Sequence, residues 1–228
     1  MAEPYYEDNQ VALFLGDCRV ITEWLEADVL VTDPPYGRGW HQNAGLANGD
    51  RQGHGKRNPG IRNDEDTAVR DQALSLWDGK PAVMFGDLLM PQPAGAVQAL
   101  IYAKPADAGI RGARGGWRRD AEVIYLIGSW PVGIGGESSI IRTNGWVAGP
   151  RGVAIRNGHP HAKPADVMET LIRACPAGTI ADPFAGSGST LIAARNLGRT
   201  AVGAELEERY CEVAARRLSQ MPLDLEAS

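Results

Sequence analysis

The chain has 228 residues, 43% of them hydrophobic, and a formal net charge of −5. That is enough apolar material for the core of one α/β domain, which excludes a disordered chain, and no apolar run approaches the ~20 residues that cross a bilayer. Cys18, Cys175 and Cys211 are too few and too far apart for a disulfide framework or a zinc site, so a reducing, cytoplasmic compartment is expected.

In chain order, residues 1–10 (MAEPYYEDNQ) are polar and acidic, without the apolar core of a leader. Residues 11–17 (VALFLGD) and 28–33 (DVLVTD) read as short buried strands around a helix near 20–25. Residues 37–63 are rich in Gly, Asn, Arg and His and read as a long loop. A helix over 65–77, a strand over 81–87 and an ambiguous segment over 96–104 that ends as a strand follow. Residues 108–120 form a Gly/Arg loop, 121–130 a strong strand, and 131–158 a second irregular, Gly-rich stretch. The remainder alternates: helix 163–175, strand 178–184, helix 186–198, strand 199–206, helix 207–220. Strands alternating with helices imply a Rossmann-like, doubly wound, mostly parallel sheet in one domain spanning 1–228, with loop insertions at about 37–63 and 131–158.

Charge is unevenly spread. Arg38, Arg51, Lys56, Arg57 and Arg62 face only Asp50 within 37–62, and Arg142, Arg151, Arg156 and Lys163 face no acid within 138–163. A basic face on an acidic protein suits a polyanionic partner. Trp24, Trp77 and Trp130 sit in apolar runs and are expected in the core, whereas Trp117 and Trp146 lie in glycine-rich loops. His41 and His54 read as loop polars.

Two stretches carry chemistry. In VLVTDPPYGRGW (29–40), Pro34 and Pro35 stop a strand because proline has no N–H to continue a ladder. Asp33 is left at the strand's carboxyl end with Tyr36 just beyond it. In ADPFAGSGSTLIAARNLGRTAVGAELEERY (181–210), a strand enters Gly186-Ser187-Gly188 and a helix, and the next strand ends at Glu205. Glycines let a backbone approach a ligand, and an acid about 20 residues on accepts from ribose hydroxyls. A dinucleotide fingerprint would place a third glycine where Leu191 stands, which argues against NAD and for a nucleoside ligand without phosphate.

DPPY at 33–36 together with DPFAGSGST at 182–190 resembles the S-adenosylmethionine-dependent amino-methyltransferases of DNA bases. HPHAKP at 159–164, LFLGDC at 13–18 and RDAEVIYLIG at 119–128 are similar to further segments of that family. With DPPY first and the glycine loop near the C-terminus, the order is that of the circularly permuted β group. The resemblance implies the methyltransferase version of the fold, S-adenosylmethionine as cofactor, DNA as partner and a homodimer as in related enzymes; no membrane partner is expected.

It also implies roles. Asp33 would accept from the exocyclic amine, with the Pro34 carbonyl as a second acceptor and Pro35 stiffening the turn. Tyr36 would stack on the base flipped from the duplex. Asp182, Phe184, Gly186, Gly188 and Ser189 match the methionine-side loop, Glu205 the ribose acid and Asp17 the adenine contact, while His159 and Lys163 match the segment near the methionine. Glu122 fits a family position but receives no role beyond local hydrogen bonding. Arg38, Trp40, Arg51, Lys56, Arg57 and Arg62 are the candidate DNA contacts, with Trp40 able to stack. Adenine N6 is the expected target, because cytosine-N4 members more often carry Ser at the place of Asp33; cytosine N4 and a non-catalytic nucleic-acid-binding subunit are the alternatives. An Asn at that place would point to protein amides.

Overall fold

A computed structural model of the chain describes residues 2–39, 60–106, 108, 113–133, 136–143 and 162–220. Its strands are β1 (Tyr6–Glu7), β2 (Val11–Leu15), β3 (Val29–Thr32), β4 (Ala82–Gly86), β5 (Ala96–Ala103), β6 (Ala121–Ile127), β7 (Ile140–Arg142), β8 (Ile180–Asp182) and β9 (Ala201–Glu205). They form one sheet in the order β1-β2-β9-β8-β3-β4-β6-β5-β7. From β2 to β4 every neighbour is parallel; β6 runs antiparallel to β4 and β5, and β1 antiparallel to β2.

The helices are α1 (Ala68–Trp77), α2 (Ala165–Arg173), α3 (Ser189–Asn196) and α4 (Glu208–Ser219). Side chains along a strand alternate between faces. Val29, Val31, Val83 and Phe85 accordingly join the core formed with α2, α3 and α4. Leu30, Ala82 and Met84 point the other way, into a core with α1 and the segment around Trp24. Every residue of β3 and β4 is buried, as a sheet covered on both faces requires. On the second face Trp24 stacks on Trp77 with ring centroids 5.8 Å apart, and Lys80 lies 3.9 Å from the centre of the Trp77 ring. Among the described residues no helix is long and apolar enough to cross a membrane.

The doubly wound, mostly parallel sheet expected from the alternation is present, with local differences. The helix expected near 20–25 is a single 3-10 turn, Glu23–Glu26. The ambiguous 96–104 segment is strand for eight residues, Ala96–Ala103, with Val97, Gln98 and Ala99 exposed. Two strands left no sequence signal: β1 has two residues, and the three of β7 lie within the stretch expected to be irregular. Trp24 and Trp77 are buried and Trp130 packs half-buried on the core, as expected; Trp117 is 82% exposed. Leu191, standing where a dinucleotide fold has its packing glycine, is fully buried. The close helix–strand approach comes instead from Gly203 on β9, where a Cβ would sit 2.9 Å from Leu191 Cδ1.

The topology gathers function at one edge. The carboxyl ends of β2, β9, β8, β3 and β4 all reach that edge, where ligands of parallel α/β sheets bind. Because β6 runs the other way, its amino end, Ala121-Glu122, arrives there too.

Candidate active site

The glycine end is built around two buried carboxylates. Asp182 closes β8 and accepts from Thr32 Oγ1 at 2.6 Å and from the Phe184 N–H at 3.1 Å. Burial pushes its carboxyl up to about 6. Glu205 closes β9; its Oε2 accepts from the Gly186 N–H at 2.7 Å and its Oε1 from the Glu207 N–H at 2.8 Å. Burial pushes the Glu205 carboxyl up to about 7 against the pull of those two donors. Gly186 and Gly188 take φ of 51° and 79°, which L side chains rarely adopt. From α4, Arg217 donates to the Ser187 carbonyl and pins the loop from behind. The Ser189 hydroxyl is buried beside the cleft without a protein partner.

At the end of β2, Asp17 is gripped by Arg19, whose Nη2 lies 2.5 Å from Asp17 Oδ2 and whose Nη1 donates to Gln72 Oε1 at 2.9 Å. Hydrogen bonds from that guanidinium hold the Asp17 carboxyl below its ordinary range.

The other end is a cluster of alternating charges. Tyr36 donates to Asp33 Oδ1 at 2.7 Å, and Lys163 Nζ lies 2.5 Å from Asp33 Oδ2 and 3.2 Å from the Tyr36 hydroxyl. Glu122 Oε2 stands 3.4 Å from the same ammonium, and Lys104, just past β5, also pairs with Glu122. Burial opposes the charge on Glu122, but Lys163 and Lys104 outweigh it and hold the carboxyl below its ordinary value. Burial likewise disfavours the Lys163 ammonium, and Asp33 and Glu122 reverse that and raise it. Burial, then the Asp33 and Glu122 charges, push the Tyr36 phenol well above its ordinary value. Asp64, 2% exposed, accepts from the Gly37 N–H at 2.8 Å and so fastens the chain just after Tyr36.

One cleft of about 300 Å³ joins the two ends. It is lined by Asp17, Asp33, Pro34, Pro35, Tyr36, Lys163, Asp182, Phe184, Gly186, Ser189 and Glu205, and at its rim by Arg38 and Arg62. Gly188 is not a lining residue; it starts α3 and packs on Ala214. Arg38 forms a salt bridge with Asp87, beyond β4, whereas Arg62 is exposed. Lys163, expected beside the methionine of a cofactor, lines the cleft and is bonded to Asp33. His159, Trp40, Arg51, Lys56 and Arg57 lie outside the described residues. Sequence reasoning gave no role to Lys104, Asp87 or Arg217; Lys104 and Glu122 could have been marked as charges at the ends of apolar strands. Among the described residues no cluster of His, Cys, Asp and Glu is arranged to hold a metal.

Residues 122–216 match a protein-family model described as DNA methylase. The chain resembles the S-adenosylmethionine-dependent DNA amino-methyltransferases. It is 46% identical over 65 residues to the type II methyltransferase M.ScaI of Streptomyces caespitosus, a match covering 28% of this chain and 21% of that one. It is 43% identical over 63 residues to the putative methylase YubD of Escherichia coli (27% and 28%). The matched stretch therefore spans about a quarter of the length of these relatives. Over nearly the whole chain the fold is that of solved DNA methyltransferases. The M1.HpyAVI–SAM complex aligns with TM-score 0.60 at 17% identity, covering 92% of this chain and 100% of that one. The cytosine-N4-specific PvuII methyltransferase aligns with TM-score 0.64 at 15% identity, covering 99% and 90%.

Proposed function

We propose that this chain transfers a methyl group from S-adenosylmethionine to the exocyclic N6 of adenine in DNA, with the base flipped into the cleft. The observation that carries the reading is the single cleft bounded by Asp33-Pro34-Pro35-Tyr36 at one end and by the glycine loop with Glu205 at the other. The residues suit the cofactor. The Ser189 hydroxyl is buried and unpartnered, and each Glu205 oxygen keeps a lone pair for ribose hydroxyls after taking its backbone bond. The volume lies at the lower end of the roughly 300–1,000 Å³ usual for ligand pockets.

When bound, S-adenosylmethionine supplies an activated methyl group on a sulfonium. The chain's own residues position and polarise. Asp33 accepts an N–H of the base amine, whose lone pair is otherwise delocalised into the ring, and with the Pro34 carbonyl favours a tetrahedral attacking nitrogen. Tyr36 stacks on the flipped base, and Phe184 and Asp17 contact the cofactor. No covalent intermediate is needed, so catalysis is orientation and electrostatics. Arg38 and Arg62 at the rim, with Arg51, Lys56 and Arg57 from the sequence, meet the DNA backbone, and Trp40 stacks on a base or sugar; His159 joins the methionine side. A homodimer in the cytoplasm completes the proposal.

Adenine is favoured because Asp33 stands where cytosine-N4 members more often carry Ser; in support, a carboxylate accepts more strongly than a hydroxyl and cannot donate to a ring nitrogen. Unmodified genomic DNA incubated with the protein and S-adenosylmethionine, then digested to nucleosides and weighed by mass spectrometry, tests this. N6-methyladenine is expected. N4-methylcytosine alone would change the base and leave the chemistry, whereas neither product, with cofactor bound, would mean a non-catalytic binding subunit.

A further inference from the structure

We propose that Lys163 is a positioning residue for Asp33: it fixes the carboxylate before the base amine arrives and passes to Glu122 as the amine binds. The inference rests on the methyltransferase reading above.

An aspartate's last torsion is soft, so a carboxylate held at one oxygen still swings. Asp33 is held at both, at Oδ1 by Tyr36 (2.7 Å) and at Oδ2 by Lys163 (2.5 Å). Lys163 is 8% exposed, and its ammonium also lies 4.7 Å from the centre of the Phe85 ring. A buried ion pair is weak evidence for stability, because desolvation offsets much of the attraction. What the pair supplies here is a fixed acceptor direction.

The second half rests on Glu122. Its Oε2 is already 3.4 Å from the ammonium, and Lys104 holds its other oxygen. When the amine donates to Asp33, Lys163 closes the short remaining gap to Glu122, so the buried ammonium keeps a charged partner while Asp33 takes the amine N–H in its place. The other charges facing this group are Asp87, which is paired with Arg38, and Asp182 at the end of β8. Neither reaches Lys163 within salt-bridge distance among the described contacts.

Lys163→Gln separates this role from that of a cofactor ligand. Expected are a dissociation constant for S-adenosylmethionine within about threefold of wild type, and a single-turnover rate on DNA lower by roughly 100-fold, the scale of a misplaced reacting group. The loss falls in kcat more than in KM. The acid limb of the pH–rate profile moves to higher pH, since two carboxylates then face each other, and Lys163→Arg returns the limb toward wild type. Cofactor affinity lost by about tenfold with the limb unmoved would make Lys163 a cofactor ligand and overturn the proposal, as would an unchanged rate. Should Lys163→Gln fail to fold, Glu122→Gln carries the test: a slower transfer at unchanged cofactor affinity is expected, and an unchanged rate overturns the hand-over. Crystal structures read the same role without turnover, and so apart from any failure of the methyltransferase reading. The Asp33 carboxylate should rotate in Lys163→Gln, and an unmoved one contradicts the proposal.

Discussion

The two ends of the cleft hold their carboxylates by opposite means. At the glycine end, Glu205 and Asp182 are gripped by backbone N–H groups and hydroxyls, which orient an anion without neutralising it. Burial then wins, and both carboxyls titrate high, at about 7 and about 6. At the DPPY end Lys104 and Lys163 pair with Glu122, and that largely enclosed carboxyl titrates low. Burial alone therefore does not decide a carboxylate's charge; the charge of its donors does. The neutral grip leaves Glu205 able to exchange partners with incoming hydroxyls. The charged grip favours the ionised forms of Glu122 and Lys163.

That contrast can be broken by substitution. Asp33→Ala should have the largest effect, lowering methyl transfer by at least about 100-fold in single-turnover kinetics. Glu205→Ala should act at the other end, weakening cofactor binding by about 1.5–3 kcal/mol, roughly 10–150-fold, measured by calorimetry. Gly188→Ala should test the backbone of the glycine end. Its φ of 79° and a Cβ 3.0 Å from that of Ala214 should cost about 1–3 kcal/mol of stability, seen as a lower Tm.

A smaller effect sharpens the contrast through pH. In the proposed site, ribose hydroxyls would donate to the ionised Glu205 and favour it. Cofactor binding should therefore strengthen as pH rises through about 7 and weaken below it, by up to about tenfold per unit. In the cofactor-free protein the sign is the opposite. A carboxyl raised from 4.5 to about 7 contributes stability that is present below 4.5 and lost as pH rises through about 7. Titration of binding from pH 5.5 to 8.5, with Glu205→Gln flat over the range, checks the assignment.

The two ends also differed in how far they could be read in advance. The glycine loop, Asp182 and Glu205 lie in one run of 30 residues where strand, turn and helix follow in order, so local pattern suffices. The DPPY turn was legible as a turn, but its partners were not. Lys163 is 130 residues from Asp33, and Glu122 is 86 from Tyr36. They meet only because α2 follows β7 back to the sheet edge and β6 runs antiparallel, neither of which a local spacing encodes. Leu191 was legible as a departure from a dinucleotide fingerprint, whereas its compensation by Gly203 needed the packing of helix on strand. The strands β1 and β7 are simply too short to carry a period.

The separation of the two ends is tested most directly by titrating S-adenosylmethionine into the Asp33→Ala protein. A carboxylate committed to the base amine touches no cofactor atom in the ground state, so the dissociation constant should stay within about threefold of wild type while transfer to DNA is lost. Affinity lost as severely as in Glu205→Ala would contradict the division of the cleft and place Asp33 among the cofactor ligands.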